Sequence, residues 1–292
     1  MEPVTIRNSI LTHEHVLVDF IGAAGVSRSR YDLEEAFAAA RPKVEAVKKY
    51  GCRRILECTP AYIGRDPRLL LRLQEATGVE LWTNTGLYAA ANHKFLPEYV
   101  KTETPLALAK RWVAEWRDGV EGMKPRFIKI GVNLAPLHEW DRKVVEAGAI
   151  ASLETGLTVA CHTSGGGEAA METMEILTRR RLPLSKYVWV HAQNEMKNEY
   201  FDEAARAGAW VSFDGLNEKS DGRHWQAYFW MLNAGLLPRM LLSHDSGWYR
   251  VGEPGGGQFN GFTYAFEKFL PRVPAEFREL LMVTNPRRAF GD

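Results

Sequence analysis

The chain has 292 residues, of which 46% are hydrophobic and 25% charged, and its formal net charge is +1. This composition is typical of a soluble globular protein, and the balanced charge gives no electrostatic reason to expect a nucleic acid or a membrane surface as a partner. Three cysteines make no disulfide framework, the N-terminus lacks the pattern of a signal peptide and no apolar run approaches bilayer length, so we expect a cytoplasmic protein.

Predicted strands and helices alternate along the chain. Short β-rich apolar runs predict eight strands, at residues 10–15, 54–59, 79–85, 127–132, 157–162, 187–191, 210–214 and 240–245. Apolar residues at three- and four-residue spacing predict helices between them, at residues 33–50, 106–117, 141–154, 169–180 and 198–207. Several of these helices are followed by a glycine that ends them, such as Gly51, Gly156 and Gly208.

The alternation of strands and helices predicts a parallel sheet with right-handed crossovers. Eight such units fit an α/β fold of the (β/α)8 TIM-barrel type, with residues 1–292 as a single domain. An open, doubly wound sheet is the alternative, and it fits less well because no Gly-x-Gly-x-x-Gly follows the first strand. The long glycine-rich segment 246–261 would follow strand eight at the active-site end of a barrel, where a loop of this length is often functional.

Residues with metal-binding side chains end several of the predicted strands. His13 and His15 end strand one, and their two-residue spacing directs both side chains to one face. His162, His191 and Asp245 end strands five, six and eight. Each residue alone would more often pack or form a hydrogen bond than bind a metal. Because the C-terminal ends of barrel strands surround the active site, the five together predict a metal centre.

Lys129 lies in the middle of predicted strand four, between Ile128 and Ile130. A charged ammonium group inside a barrel would be strongly disfavoured by desolvation. A neutral amine can instead react with carbon dioxide to form a carbamate, whose two oxygens can bridge two metal ions. Two divalent ions would then face three negative charges, from the carbamate, Asp245 and a bridging hydroxide. The alternative is a lysine that extends to the barrel exterior.

Several motifs occur in a fixed order along the chain. They are Thr12-His13-Glu14-His15, Gly64-Arg65-Asp66, Asn84-Thr85-Gly86-Leu87-Tyr88, Ile128-Lys129-Ile130, His162-Thr163, His191, Ser243-His244-Asp245 and Thr284-Asn285-Pro286-Arg287-Arg288-Ala289-Phe290. In this order and spacing the chain resembles, over nearly its whole length, the phosphotriesterase family of the amidohydrolase superfamily, which includes phosphotriesterase-like lactonases and related hydrolases.

The resemblance implies a binuclear metal centre and assigns its ligands. His13, His15 and Asp245 would hold the more buried ion, and His162 and His191 the more exposed one. Carboxylated Lys129 would bridge the two. Imidazole and carboxylate ligands suit zinc, the default expectation, and also manganese, cobalt or iron.

The chemistry expected of such a centre is metal-dependent hydrolysis by a hydroxide that bridges the two ions, with Asp245 as the group that accepts its proton. Tyr88 stands where lactonase-like members of the family carry tyrosine, which favours a lactone or another carboxylic ester as substrate. Asp214-Gly215-Leu216-Asn217 departs from the Asp-x-Tyr-Gly pattern of acyl-homoserine-lactone hydrolases and argues against long acyl chains. The alternatives are a phosphoester hydrolase, acting on a phosphotriester or a sugar phosphate, and a non-catalytic metal-binding member of the family.

The connections over the active-site end contain residues that we expect to contact the substrate. Besides Tyr88, they are Arg223 and His224 after strand seven and Arg250 after strand eight. An arginine there could bind a carboxylate or phosphate through two hydrogen bonds. The expected partner is thus a small-molecule substrate, and a homodimer is left open.

Overall fold

The computed structural model describes residues 1–292, in which strands and helices alternate. The strands are β1 (Ser9–Val18), β2 (Cys52–Glu57), β3 (Glu80–Trp82), β4 (Asn84–Thr85), β5 (Phe127–Val132), β6 (Val159–Thr163), β7 (Tyr187–Val190), β8 (Trp210–Phe213), β9 (Met240–Leu242) and β10 (Gly247–Arg250). The helices are α1 (Leu33–Ala46), α2 (Pro67–Thr77), α3 (Tyr99–Thr102), α4 (Pro105–Asp118), α5 (Glu139–Thr155), α6 (Gly166–Arg179), α7 (Glu199–Arg206), α8 (Asp221–Asn233), α9 (Ala275–Glu279) and α10 (Asn285–Phe290).

The strands pair in parallel, in the orders β10-β1-β2-β3 and β4-β5-β6-β7-β8-β9. β3 and β4 are two parts of one strand, separated at Thr83, whose carbonyl accepts a hydrogen bond from the Arg126 N–H at 2.9 Å. At the other junction, the Asp245 N–H donates to the His13 carbonyl at 2.9 Å and the His15 N–H to the Ser246 carbonyl at 2.8 Å. β3 and β4 together count as one strand of the barrel, and so do β9 and β10. The ten segments therefore form the eight strands of a (β/α)8 barrel, as predicted.

Apolar side chains fill the space on both sides of the barrel wall. The larger cluster, of 69 buried residues, lies mainly between strands and helices. A second cluster, of 11 residues, brings together inward-facing side chains from most of the strands, among them Ile10, Leu56, Trp82 and Phe127. The ring of Phe290, from α10, packs edge-on against Phe127 with 5.7 Å between centroids. The N-terminal end of the barrel is therefore closed by apolar contacts.

Some helices were not predicted from the sequence. α2 begins with Asp66 as its N-cap and Pro67 in its first turn, a start signal that the search for apolar periodicity passed over. α8 lies where a connection was expected, because its many aromatic residues masked the helical spacing of its buried face. The glycine-rich segment after strand eight is also partly regular, since it contains β10, which pairs with β1. None of the helices is both long and apolar enough to cross a membrane.

Candidate metal centre

The six predicted metal ligands line one small cavity at the C-terminal end of the barrel. The cavity has a volume of about 70 Å³. Its lining includes the whole predicted ligand set, which is His13, His15, Lys129, His162, His191 and Asp245. His15 and Asp245, which lie 230 positions apart in the sequence, are thus brought into contact by the strand order.

Imidazole nitrogens converge on the Asp245 carboxylate. Its Oδ1 lies 3.1 Å from the Nε2 of His15 and 3.5 Å from the Nε2 of His13. Its Oδ2 lies 4.0 Å from the Nε2 of His191. The ring of His162 meets that of His191 edge-on, with 4.4 Å between centroids. This arrangement places three nitrogen donors around one carboxylate and a fourth imidazole beside them.

Two irregularities of the backbone turn these side chains inward. In β1, the pairing with β2 shifts between Leu11 and Glu14, so that one extra residue is accommodated. The shift allows both Ile10 below it and His13 above it to face the barrel interior. At the end of β7, His191 adopts a left-handed backbone with φ of +65°, and it lines the cavity directly after Val190, which also faces inward.

Hydrogen bonds fix which ring nitrogen faces the cavity. The Nδ1 of His15 lies 2.8 Å from Thr59 Oγ1, and the Thr59 hydroxyl in turn donates to Glu57. The Nδ1 atoms of His13 and His191 both contact the carboxylate of Asp214, at 3.2 Å for His13. When these Nδ1 atoms carry the proton, the Nε2 lone pairs of all three rings are left for a metal. His162 differs, because its Nε2 lies 3.2 Å from Ser164 Oγ.

Burial and neighbouring charges shift the pKa values of these groups. Burial lowers the pKa of His13, and it lowers that of His162 well below its usual range with the help of the nearby charges of His191 and Lys129. At His191, burial alone would lower the pKa, but the charge and hydrogen bond of Asp214 raise it. Neutral imidazole is the form that binds metal ions, so His13 and His162 are kept ready to act as ligands.

Lys129 is buried within the barrel rather than extended to its exterior. Its side chain is 2% exposed and lines the cavity with the histidines. Its Nζ lies 5.7 Å from the centre of the Tyr88 ring. A lysine amine in the wall of a cavity rich in imidazole and carboxylate groups fits the proposed carbamate. The donor set, four imidazoles, a carboxylate and this amine, fits two divalent transition-metal ions.

Of the predicted substrate contacts, the structure brings only Tyr88 to the cavity. Its ring lies 4.9 Å from that of His162. Arg223 lies in α8 and donates to the carbonyls of Gln193 and Glu195. His224 is buried in the same helix against the carbonyls of Ser220 and Asp214, and neither residue lines the cavity. The structure therefore does not bring either residue to the cavity, because the segment is a helix that packs behind the strand end.

Arg250 is also absent from the cavity lining. It lies on β10, its guanidinium stacks 5.7 Å from the ring centre of Trp248, and it pairs with Glu253 at 3.9 Å. The predicted contact with substrate is therefore not supported. Trp248 itself does line the cavity. An aromatic residue two positions before the predicted arginine was thus the better candidate.

The mouth of the cavity is aromatic. Phe20 and Trp248 line it, with 5.5 Å between their ring centroids. Phe95 packs against Phe20 and Tyr88 at 6.0 and 5.9 Å. Lys129 is the one lysine or arginine among the lining residues. The residues that line the mouth are thus apolar, while two cations lie beside it: the Arg250 guanidinium is next to Trp248, and the Lys94 Nζ donates to the Phe20 carbonyl at 2.6 Å.

A much larger cavity lies elsewhere. It measures about 660 Å³ and lies between α4 and the segments after β1 and β2, with Tyr31 and Trp112 in its wall. No histidine lines it, and its charged groups are paired, as in the contact of Arg65 with Glu115 at 2.7 Å. Although it is larger, this cavity is therefore a weaker candidate for the active site than the smaller cavity with the histidines.

Comparison with known proteins gives one consistent result. The sequence profile of the phosphotriesterase family matches residues 4–290. The phosphotriesterase homology protein of Escherichia coli is 26% identical over 90% of this chain and 89% of its own length. A crystal structure of the protein of that name, with phosphate in its active site, superposes with a TM-score of 0.83 and 23% identity over 100% of both chains.

Two further relatives have named activities. The aryldialkylphosphatase of Saccharolobus solfataricus is 25% identical over 80% of this chain and 76% of its own length. The N-acetyltaurine hydrolase of Danio rerio is 24% identical over 88% of this chain and 78% of its own length. Their names describe the hydrolysis of a phosphoester and of an amide.

Proposed function

The chain belongs to the phosphotriesterase family and is a metal-dependent hydrolase, and we propose that it cleaves small, neutral carboxylic esters or lactones at a centre of two divalent ions. The observation that carries the substrate class is the cavity mouth. It is formed by Phe20, Trp248 and Tyr88, and no arginine is among the residues that line it. A free phosphate or carboxylate held in this mouth, away from the ions, would lose hydration without a cation in the lining of the mouth to compensate it, so the mouth favours a neutral group.

In this proposal His13, His15 and Asp245 hold one ion, His162 and His191 hold the other, and the carbamate of Lys129 bridges them. When bound, two such ions lower the pKa of water toward neutrality and polarise the bond to be cleaved. Zinc is the default choice for this ligand set. The support is the convergence of all six side chains on one cavity.

Asp245 is the proposed proton acceptor. Burial alone would raise its pKa, but His13, His15 and His191 lower it well below the usual range of a carboxyl group. Its carboxylate therefore starts each cycle ionised, and it is free to take a proton from the attacking water and pass it toward the leaving group. Tyr88 also lines the cavity, with its ring 4.9 Å from that of His162.

A second candidate is the hydrolysis of neutral phosphotriesters at the same site. The similarity to an aryldialkylphosphatase favours it, and such substrates carry no charge that the aromatic mouth would reject. Phosphomonoesters and sugar phosphates are less favoured, because the aromatic side chains of the mouth offer no partner for any negative charge that the two ions do not bind. A non-catalytic role is disfavoured because the full ligand set is present and converges.

The test compares three substrates that share one leaving group, and a lactone. Zinc-loaded protein is assayed with p-nitrophenyl acetate, diethyl p-nitrophenyl phosphate and p-nitrophenyl phosphate. The hydrolysis of a small γ-lactone is measured separately, by the release of protons. We expect kcat/KM for the acetate or the lactone to exceed that for the triester by roughly tenfold or more, about 1.4 kcal/mol. The monoester should be the poorest substrate. Preference for the monoester would overturn the proposed substrate class, and the metal-free protein serves as the control.

A further inference from the structure

One buried carboxylate contacts two of the proposed ligand histidines. Asp214 follows β8 and is 0% exposed. Its Oδ2 lies 3.2 Å from the Nδ1 of His13, and its Oδ1 contacts the Nδ1 of His191. In the proposed centre these two histidines serve different ions.

We infer that Asp214 is a positioning residue that couples the two metal sites, a role that rests on the proposed binuclear function. Because one carboxylate accepts a hydrogen bond from the Nδ1–H of each ring, it holds both imidazoles in the same tautomer, with both Nε2 lone pairs toward Asp245. Its negative charge also increases the electron donation of both rings to a metal. A change at Asp214 therefore reaches both ions at once.

The surroundings of Asp214 hold its carboxylate in one orientation. The Ser212 hydroxyl donates to Oδ2 at 2.9 Å, and the Gln193 amide donates to Oδ1 at 3.3 Å. The backbone N–H of Asp214 donates to Gln193 Oε1 at 3.1 Å. The backbone carbonyl of Asp214 lies 3.1 Å from the Nε2 of buried His224. Rotation of the carboxylate away from the histidines would break the bonds from Ser212 and Gln193 in a place that water does not reach.

Asp214 could instead be a metal ligand itself, since it forms a compact group with His13 and His191. The cavity argues against this role. Asp214 does not line it, whereas Asp245 does. The Nε2 atoms of both histidines lie within 4.0 Å of Asp245 and leave the Nδ1 atoms for Asp214. Asp214 therefore acts through the histidines and not on the metal.

The chain offers a matched control on one side of the centre. Among the proposed ligand histidines, Thr59 contacts only His15, through a hydrogen bond of 2.8 Å to its Nδ1. Thr59 is also fully buried. Thr59→Val keeps the shape of the side chain and removes this bond together with the bond that the same hydroxyl donates to Glu57. It should weaken the site that contains His15 and leave the other unchanged, whereas Asp214→Ala should weaken both.

The experiment measures the two stepwise dissociation constants for Zn²⁺ by competition with a chromophoric chelator. For Asp214→Ala we expect both constants to rise, each by roughly 10–100-fold, the usual effect of removing a hydrogen-bond partner of a metal ligand. For Thr59→Val we expect one constant to rise. A second readout needs no metal: in the metal-free protein, the NMR signals of the Nδ1 protons of His13 and His191 should both be lost in Asp214→Ala and remain in Thr59→Val.

The outcomes separate this inference from the function beneath it. If the wild-type protein does not bind two Zn²⁺ ions, the proposed function fails. If the wild-type protein binds two and Asp214→Ala changes one constant or none, the function stands and the coupling role is overturned. Thermal melts check that the variant is folded. If it is not, Ser212→Ala, which removes only the hydroxyl that orients Asp214, takes its place and should raise both constants to a smaller extent.

Discussion

The two ends of the barrel interior are built from the same strands but differ in character: one is a packed apolar cluster, and the other is a cavity lined by metal-binding side chains. On β5, Phe127 and Lys129 are two residues apart and face the same way. Phe127 belongs to the apolar cluster that Phe290 closes from below, whereas Lys129 lines the histidine cavity above. A rise of about 7 Å along the strand thus separates a residue that packs in the apolar core from one that lies in the proposed metal centre. Substitutions at the two ends should therefore change different properties.

The largest expected effect is at the C-terminal end, at Asp245. Asp245→Asn keeps an oxygen that can bind a metal but removes the group that accepts the proton. Turnover should fall on the order of 10²–10⁴-fold, with most of the metal retained and the melting temperature little changed. Turnover and zinc content are measured side by side. Near-normal turnover would remove Asp245 from proton transfer and leave it only a ligand.

At the N-terminal end, Phe127→Ala should act in the opposite way. The side chain is fully buried against Phe290, and its loss leaves a cavity, so the free energy of unfolding should fall by about 3–5 kcal/mol. Zinc stoichiometry and kcat of the folded protein should be unchanged. Urea denaturation measures the first and assays well below the transition measure the second. A loss of kcat in the folded variant would show that the two ends are not independent.

His244 sharpens the comparison, because it lies at the catalytic end and faces away from the cavity. Its Nδ1 lies 2.6 Å from buried Glu14 Oε1, and its Nε2 accepts from the Ala265 N–H at 3.0 Å. His244→Ala leaves both partners without this bond and should destabilise the fold by about 1–3 kcal/mol, with zinc affinity retained. Loss of metal before loss of fold would place His244 with the ligands after all.

The smallest expected effect is at the mouth. Phe20 is 40% exposed and stacks near Trp248. Phe20→Ala removes apolar contact with the substrate, which is made equally before and during the reaction, so KM should rise by roughly tenfold or less, the equivalent of about 1.4 kcal/mol, at constant kcat. The free energy of unfolding should be nearly unchanged. An unaltered KM for every neutral substrate would exclude Phe20 from the binding surface.

Much of this arrangement could be predicted from the sequence, because strand ends and ligand-type residues coincide. The eight barrel strands and the six candidate ligands could be predicted from local sequence patterns and their order alone. The inward direction of His191 could not be predicted, because alternation from Val190 points it outward and a left-handed backbone reverses it. The shift in β1 is equally silent in the sequence.

The hydrogen-bond partners of the ligands were harder still to predict. Asp214 and Thr59 each act on a histidine of another strand, at separations of 201 and 44 residues from His13 and His15. One sequence cannot reveal such pairs, because neither spacing nor periodicity relates them. Arg223 shows the opposite case. Its residue type suits a substrate contact, and its segment was expected to be a connection over the active-site end, but the segment is a helix in which Arg223 packs away from the cavity.

The central claim is a binuclear centre at the cavity, bridged by a carboxylated Lys129. Crystals of the zinc-loaded protein, measured on both sides of the zinc absorption edge, test it most directly. We predict two anomalous peaks, one beside His13, His15 and Asp245 and one beside His162 and His191, with density continuing past the Nζ of Lys129 between them. A single peak, no peak, or two peaks flanking an unmodified lysine would contradict it.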